Sequence, residues 1–113
     1  MNIQIFGKAK CFDTKKAERY FKERGVNYQF IDVARYGMSA GELKSVMAAV
    51  GGIKALIDEQ SRDYEKSYIA YLASEENRAD KLKEYPGLYK TPIVRNGRQA
   101  TVGYHPEIWK TWE

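Results

Sequence analysis

The sequence predicts an α/β fold, a mixed sheet of about four strands with helices on its faces and a helical insert between the second and third strands. Three observations point there. A short apolar run, an amphipathic helix and an aromatic-rich run follow one another closely near the N-terminus. Asn96-Gly97 sits between two β-branched runs near the C-terminus, the strongest short hairpin signal. Between these two blocks, residues 39–85 carry helical periodicity and helix-capping residues.

The first strand is expected around Ile3 and Ile5. The helix that follows covers Lys15 to Arg24, because Ala17, Tyr20, Phe21 and Arg24 recur at i, i+3, i+4, i+7 and can pack on a sheet while Lys16, Glu18, Arg19 and Glu23 stay in water. Gly25 supplies a left-handed C-terminal cap. Tyr28 to Val33 is the second strand, and a strand, helix and strand this close make a right-handed crossover with parallel strands.

In the insert, Ser39 and Glu42 have capping-box spacing and open a helix whose buried stripe is Leu43, Val46, Met47 and Val50. Gly51-Gly52 breaks it. Tyr64, Tyr68, Tyr71 and Leu72 form a second stripe, read as core and rim packing rather than as a cofactor site. Glu75 to Tyr85 is the last insert helix, ended by Pro86-Gly87. The third block pairs Pro92–Arg95 with Arg98–Val102 across Asn96-Gly97. Pro106 then opens a final helix that turns Ile108, Trp109 and Trp112 to the core, with His105 beside its start. The order β, α, β, helical insert, β, β, α is a thioredoxin-like layout. It makes one domain, residues 1–113, with core segments 1–36 and 86–113 around an insert at 37–85.

Composition excludes several functions. The 113 residues are 43% hydrophobic and 30% charged, enough for one core and too few for two. A single cysteine forms no internal disulfide, and MNIQIFG lacks a signal peptide's basic and apolar regions, so a cytoplasmic protein is expected. The most apolar stretch, Val46 to Ile57, is too short to span a bilayer and contains Lys54. The net charge of +4 is spread along the chain among Asp and Glu, the pattern of solvated helix faces rather than of a nucleic-acid-binding stripe. No direct nucleic-acid contact, no membrane role and no metal site are expected.

The candidate for chemistry is Cys11. It lies at the carboxyl end of the first strand and the amino end of the first helix, where unpaired N–H groups and the helix dipole stabilise an anion. A cysteine with a pKa near 8.5 is about 3% thiolate at pH 7; lowering that value by two units makes it about three-quarters thiolate, for roughly 2.7 kcal/mol of preferential stabilisation. Lys8, Lys10 and Lys15 can contribute, while Asp13 opposes unless it points outward. The alternative is an inert, buried cysteine.

The stretches FGKAKCFDTKKAERYFKERGVNYQFIDV and YPGLYKTPIVRNGRQATVGYHPEIW resemble the arsenate reductase (ArsC)/Spx family of thioredoxin-like, bacterial cytoplasmic proteins. The resemblance spans essentially the whole chain. It implies that Cys11 is a redox or catalytic thiol, and that Pro92 is the proline, commonly cis, that faces it. Thr14 takes the place of the second cysteine of a C-x-x-C switch, so that switch is absent; its hydroxyl can serve the Cys11 thiolate or cap the helix. Thr91 stands where arsenate reductases place an oxyanion-binding arginine, and a second such arginine falls near Asp58 or Arg62. Threonine does not replace a guanidinium fork, which puts arsenate itself in doubt.

The expected function is therefore that of a single-thiol redox protein. Cys11 would be the nucleophile, in thiol–disulfide exchange or oxyanion reduction, with Thr14, Lys10, Lys15, Thr91 and Pro92 in support. No bound cofactor is expected, and an external thiol such as glutathione, bacillithiol or a glutaredoxin- or thioredoxin-type protein would resolve the mixed disulfide. The alternative is an Spx-like regulator that binds the C-terminal domain of the RNA polymerase α subunit through Gly52 and Arg62 without catalysis. A monomer is expected in either case.

Overall fold

The computed structural model describes residues 1–112. Strand β1 (Ile3–Gly7) leads into α1 (Phe12–Glu23) and β2 (Tyr28–Asp32). Five helical segments follow: α2 (Val33–Tyr36), α3 (Ala40–Val50), a 3₁₀ turn at Ile53–Leu56, α4 (Asp63–Lys66) and a 3₁₀ turn at Ile69–Tyr71. Then come α5 (Glu75–Glu84), a 3₁₀ turn at Pro86–Leu88, β3 (Ile93–Asn96), β4 (Gln99–Val102), α6 (Pro106–Trp109) and a 3₁₀ turn at Lys110–Trp112. The sheet order is β2-β1-β3-β4. β1 runs parallel to β2, with Ile5 opposite Phe30, and antiparallel to β3, with Ile5 opposite Val94. This is the mixed four-stranded thioredoxin-like sheet with helices inserted between the second and third strands.

Strand alternation divides the core between the two faces. Ile3 and Ile5 of β1 and Val94 of β3 pack with Ala17, Tyr20, Phe21 and Trp109 under α1 and α6. Phe6 and Ile93 face the other way and pack with Val33, Leu43, Val46, Ile53, Leu56, Ile69, Leu82, Leu88 and Tyr89, so the inserted helices supply that core. Tyr20, Phe21 and Trp109 form an aromatic cluster with ring centroids 5.0 to 5.2 Å apart.

Several local expectations shift. Helix α1 begins one turn earlier than Lys15, with Cys11 as its N-cap residue, and its buried face gains Thr14. Arg24 is exposed, its guanidinium 3.7 Å from the Tyr20 ring centroid. The α1 C-terminus closes as a Schellman pair, Val26 N–H to Phe21 O (2.9 Å) and Gly25 N–H to Lys22 O (3.1 Å), with Gly25 at φ +66°. Strand β2 stops at Asp32, and Val33 starts α2. The hairpin turn is displaced by one residue: Asn96 pairs with Gln99, leaving Gly97 (φ +60°) and Arg98 as the two loop residues, with glycine first.

The Ser39/Glu42 capping box forms, with reciprocal bonds of 2.9 and 3.1 Å. The tyrosine stripe forms only in part, with Tyr64 and Leu72 packed against the core. Tyr68 and Tyr71 are 67% and 84% exposed, because the chain breaks into short turns. Tyr68 is left-handed at φ 55°, and the Ser67 hydroxyl accepts the Ile69 N–H (3.3 Å), offering the backbone a turn in place of a helix. In the last helix Trp109 is buried, Trp112 half-buried and Ile108 exposed.

Candidate functional site

The site is built at the junction of β1 and α1. Cys11 has extended backbone angles (φ −90°, ψ 118°), and its carbonyl accepts the Lys15 N–H at 3.2 Å, the first bond of the helix. Its side chain makes no capping bond and is left half-buried. As the N-cap residue, Cys11 stands beside the first-turn amides of Asp13 and Thr14, which favour its thiolate form.

Gly7 allows this close approach. A Cβ there would run into the Thr14 methyl and stand 3.0 Å from Thr14 Oγ1 and from the Phe30 ring. With no Cβ, Thr14 packs against the end of β1, where its hydroxyl accepts the Lys8 N–H at 3.5 Å. Thr14 is the third residue into the helix, so it is not the cap. The Thr91–Pro92 peptide is cis, Pro92 is buried, and the neutral thiol donates to the Thr91 carbonyl at 3.6 Å.

Burial pushes the Cys11 thiol up, but the opposing contacts win. The hydroxyls of Thr14 and Thr91 and the N–H groups of Thr14 and Asp13 favour the thiolate and hold its pKa below the ordinary value. The lowering comes from hydrogen bonds, with no lysine among its causes. Asp13 turns outward, its carboxylate 4.0 Å from Lys16.

The thiol opens into a shallow depression of about 370 Å³ lined by Lys8, Lys10, Cys11, Asp58, Lys90 and Thr91. Lys15 does not line it, and Lys8 Nζ is tied to the Gly87 carbonyl at 2.9 Å. Asp58 arrives through short-range pairing of two distant segments. Its N–H donates to Leu88 O and the Lys90 N–H to Leu56 O, both at 2.7 Å. Arg62 is exposed at the start of α4, and Gly52 lies between α3 and the following 3₁₀ turn; neither borders the depression. Sequence reasoning missed Lys90, for which the motif carried no signal, and the role of Gly7, whose place directly after an apolar strand was the available clue. Among the described residues, no group of three His, Cys, Asp or Glu side chains is placed to hold a metal ion.

The ArsC family model matches residues 6–112. The chain belongs to the ArsC family. A global transcriptional regulator, Spx 2 of Oceanobacillus iheyensis, is 30% identical over 95% of this chain and 80% of its own length. An arsenate reductase structure from Vibrio cholerae superposes with a TM-score of 0.84 at 23% identity, covering 96% of this chain and 94% of that one. A Staphylococcus aureus protein solved by NMR gives a TM-score of 0.75 at 25% identity, with 96% of each chain covered. This ArsC-family chain thus has relatives named both as reductase and as regulator, and its only cysteine is Cys11.

Proposed function

We propose that this ArsC-family protein is a monothiol redox protein in which Cys11 is the sole nucleophile. The observation that carries the reading is the half-buried Cys11 thiol at the N-cap of α1, held below its ordinary pKa by Thr14 and Thr91. The thiolate attacks one sulfur of an external disulfide, forming a Cys11–substrate disulfide and expelling the other sulfur as a thiolate. With no second cysteine in the chain, an external thiolate then attacks the substrate sulfur. It leaves as a disulfide with the substrate and returns Cys11 as thiolate.

Glutathione, bacillithiol or a redoxin fits this second role. Phe12, 80% exposed directly after Cys11, supports a protein partner. Lys10, Lys90 and Asp58 give the depression mixed charge. A carboxylate and a threonine at the thiol disfavour arsenate reduction, because a multiply charged oxyanion needs guanidinium or ammonium groups unopposed there.

Intact-mass measurement after incubation with oxidised glutathione at neutral pH tests the proposal. The expected product is a single glutathione adduct that reduced glutathione or a glutaredoxin removes and that Cys11→Ser does not form. No adduct on the wild-type chain would sink it.

The 30% identity to an Spx regulator favours a second reading, in which the insert around Gly52 and Arg62 binds the C-terminal domain of the RNA polymerase α subunit. Pull-down with that domain, lost in Arg62→Glu and retained in Cys11→Ser, would support it; no capture by the wild-type chain would reject it.

A further inference from the structure

His105, the chain's only histidine, stands at the corner between β4 and α6 as the N-cap residue of that helix. Both of its ring nitrogens face acceptors. Nε2 lies 2.7 Å from the Val102 carbonyl oxygen and Nδ1 lies 3.0 Å from a Glu107 carboxylate oxygen. Neither oxygen has a proton to give. The first is a carbonyl, and the second belongs to a carboxyl held below its ordinary range by its own backbone N–H and by the His105 ring. A neutral imidazole has one N–H and satisfies one of these partners; only the imidazolium satisfies both.

The corner is shaped for this contact. Gly103 turns the chain at φ +92°, and a Cβ there would stand 3.5 Å from Nε2. The β4 side is fixed, because Val102 pairs with Ile93 and the Gly103 N–H donates to the Pro92 carbonyl at 2.8 Å. The α6 side is a single turn, Pro106–Trp109, and the Ile108 and Trp109 N–H groups both end on the His105 carbonyl, at 3.0 and 3.1 Å. The neighbouring elements bring charges of both signs. β4 carries none over Gln99–Val102. α6 adds Lys110 to Glu107, and α1, across the cleft it shares with Tyr104 and Glu107, adds Lys16, Arg19, Glu23 and Arg24. The four cations oppose a positive ring, while Glu107, in direct contact, favours it.

We propose that His105 is a pH-operated latch for α6: the imidazolium ties the start of the helix to both β4 and Glu107, and loss of one proton releases one of the two ties and loosens the C-terminal helix. Histidine is the side chain suited to this, because its charge ordinarily changes between pH 5 and 8. The pair is partly in water, with side chains 40% and 65% exposed, so the response is a local loosening of α6 rather than unfolding of the chain.

Amide hydrogen exchange by NMR on the full chain, from about pH 5.5 to 8, tests this. Protection factors of Ile108 and Trp109, taken relative to those of Ile5 and Val94 in the sheet, are expected to fall severalfold, following the titration curve of the single histidine ring in the same samples. The sheet reference removes changes in global stability, the Cys11 contribution among them. His105→Gln should hold the ratio flat, because an amide does not titrate. Glu107→Gln should flatten it too, because a side-chain amide can donate to the neutral Nδ1. A ratio that stays constant in wild type while the ring titrates, or a fall that persists in either variant, would overturn the proposal.

Discussion

At the scale of single residues, the proposed chemistry turns on the balance at Cys11. Burial disfavours its charge, and hydrogen bonds from Thr14, Thr91 and the first-turn amides outweigh that penalty. Removing one of these donors without changing side-chain shape should reverse part of the effect. Thr14→Val is expected to raise the midpoint of Cys11 alkylation against pH and to slow modification at neutral pH severalfold, with the fold intact by circular dichroism; an unchanged midpoint would remove Thr14 from the account. The same shift has a sign in stability. The folded thiol lies below its unfolded value of about 8.5, so between the two values the unfolded chain binds more protons and stability rises with pH; the contribution is lost as pH falls through the folded value. Urea unfolding across that window should show the rise in wild type and a flatter profile in Cys11→Ser.

At the scale of elements, α1 is placed by its contacts with β1 and β2. Gly7 is the contact point with β1, where the missing Cβ makes room for Thr14. Gly7→Ala is expected to push α1 outward, costing about 1–3 kcal/mol and raising the alkylation midpoint of Cys11 along with it; a destabilised protein with an unaltered thiol would show that Thr14 moves independently of the helix. The contact with β2 is the Tyr28 hydroxyl, which donates to Glu18 at 2.8 Å. Burial, together with that bond and the Glu18 charge, pushes Tyr28 up to about 12. The folded chain therefore holds a proton that the unfolded chain releases near pH 10, and stability falls as pH rises from about 10 to 12. Tyr28→Phe should lessen that alkaline loss in thermal melts, with Tyr89, also pushed up to about 12, supplying the remainder.

At the scale of the whole molecule, the two faces of one sheet are closed by different parts of the chain. Trp109, near the C-terminus, seals the α1 face and donates its Nε1–H to the buried Thr101 hydroxyl at 2.8 Å, so it joins α6 to β4 beneath the aromatic cluster. Trp109→Phe should lower stability by about 2–4 kcal/mol by denaturant unfolding, through lost packing and an unpaired Thr101. Thr101→Val in the same background should recover part of it, since the orphaned hydroxyl is then gone. The opposite face is closed by the inserted helices, and no helix of the described residues is long and apolar enough to cross a membrane.

Local patterns were enough for the element order, the Ser39 cap, the Gly25 stop and the placing of Cys11 at a helix start, because each depends on residues within one or two turns of one another. They misled where a tertiary contact competes with a local preference. Tyr64, Tyr68 and Tyr71 have helical spacing, yet Ser67 and a left-handed Tyr68 turn the chain so that Ile69 enters the core while Tyr68 and Tyr71 stay in water. The hairpin turn moved by one residue because β3 keeps Ile93 and Val94 on opposite faces, buried in different clusters, and the pairing follows that register. The surroundings of the thiol were settled only by folding. Asp58 and Lys90 come to Cys11 through backbone pairing between residues 56–58 and 88–90, and Thr91 comes through β3 lying beside β1. No pattern local to Cys11 encodes which residues from 47 to 80 positions away will surround it, because that depends on where two other stretches of backbone find their hydrogen bonds.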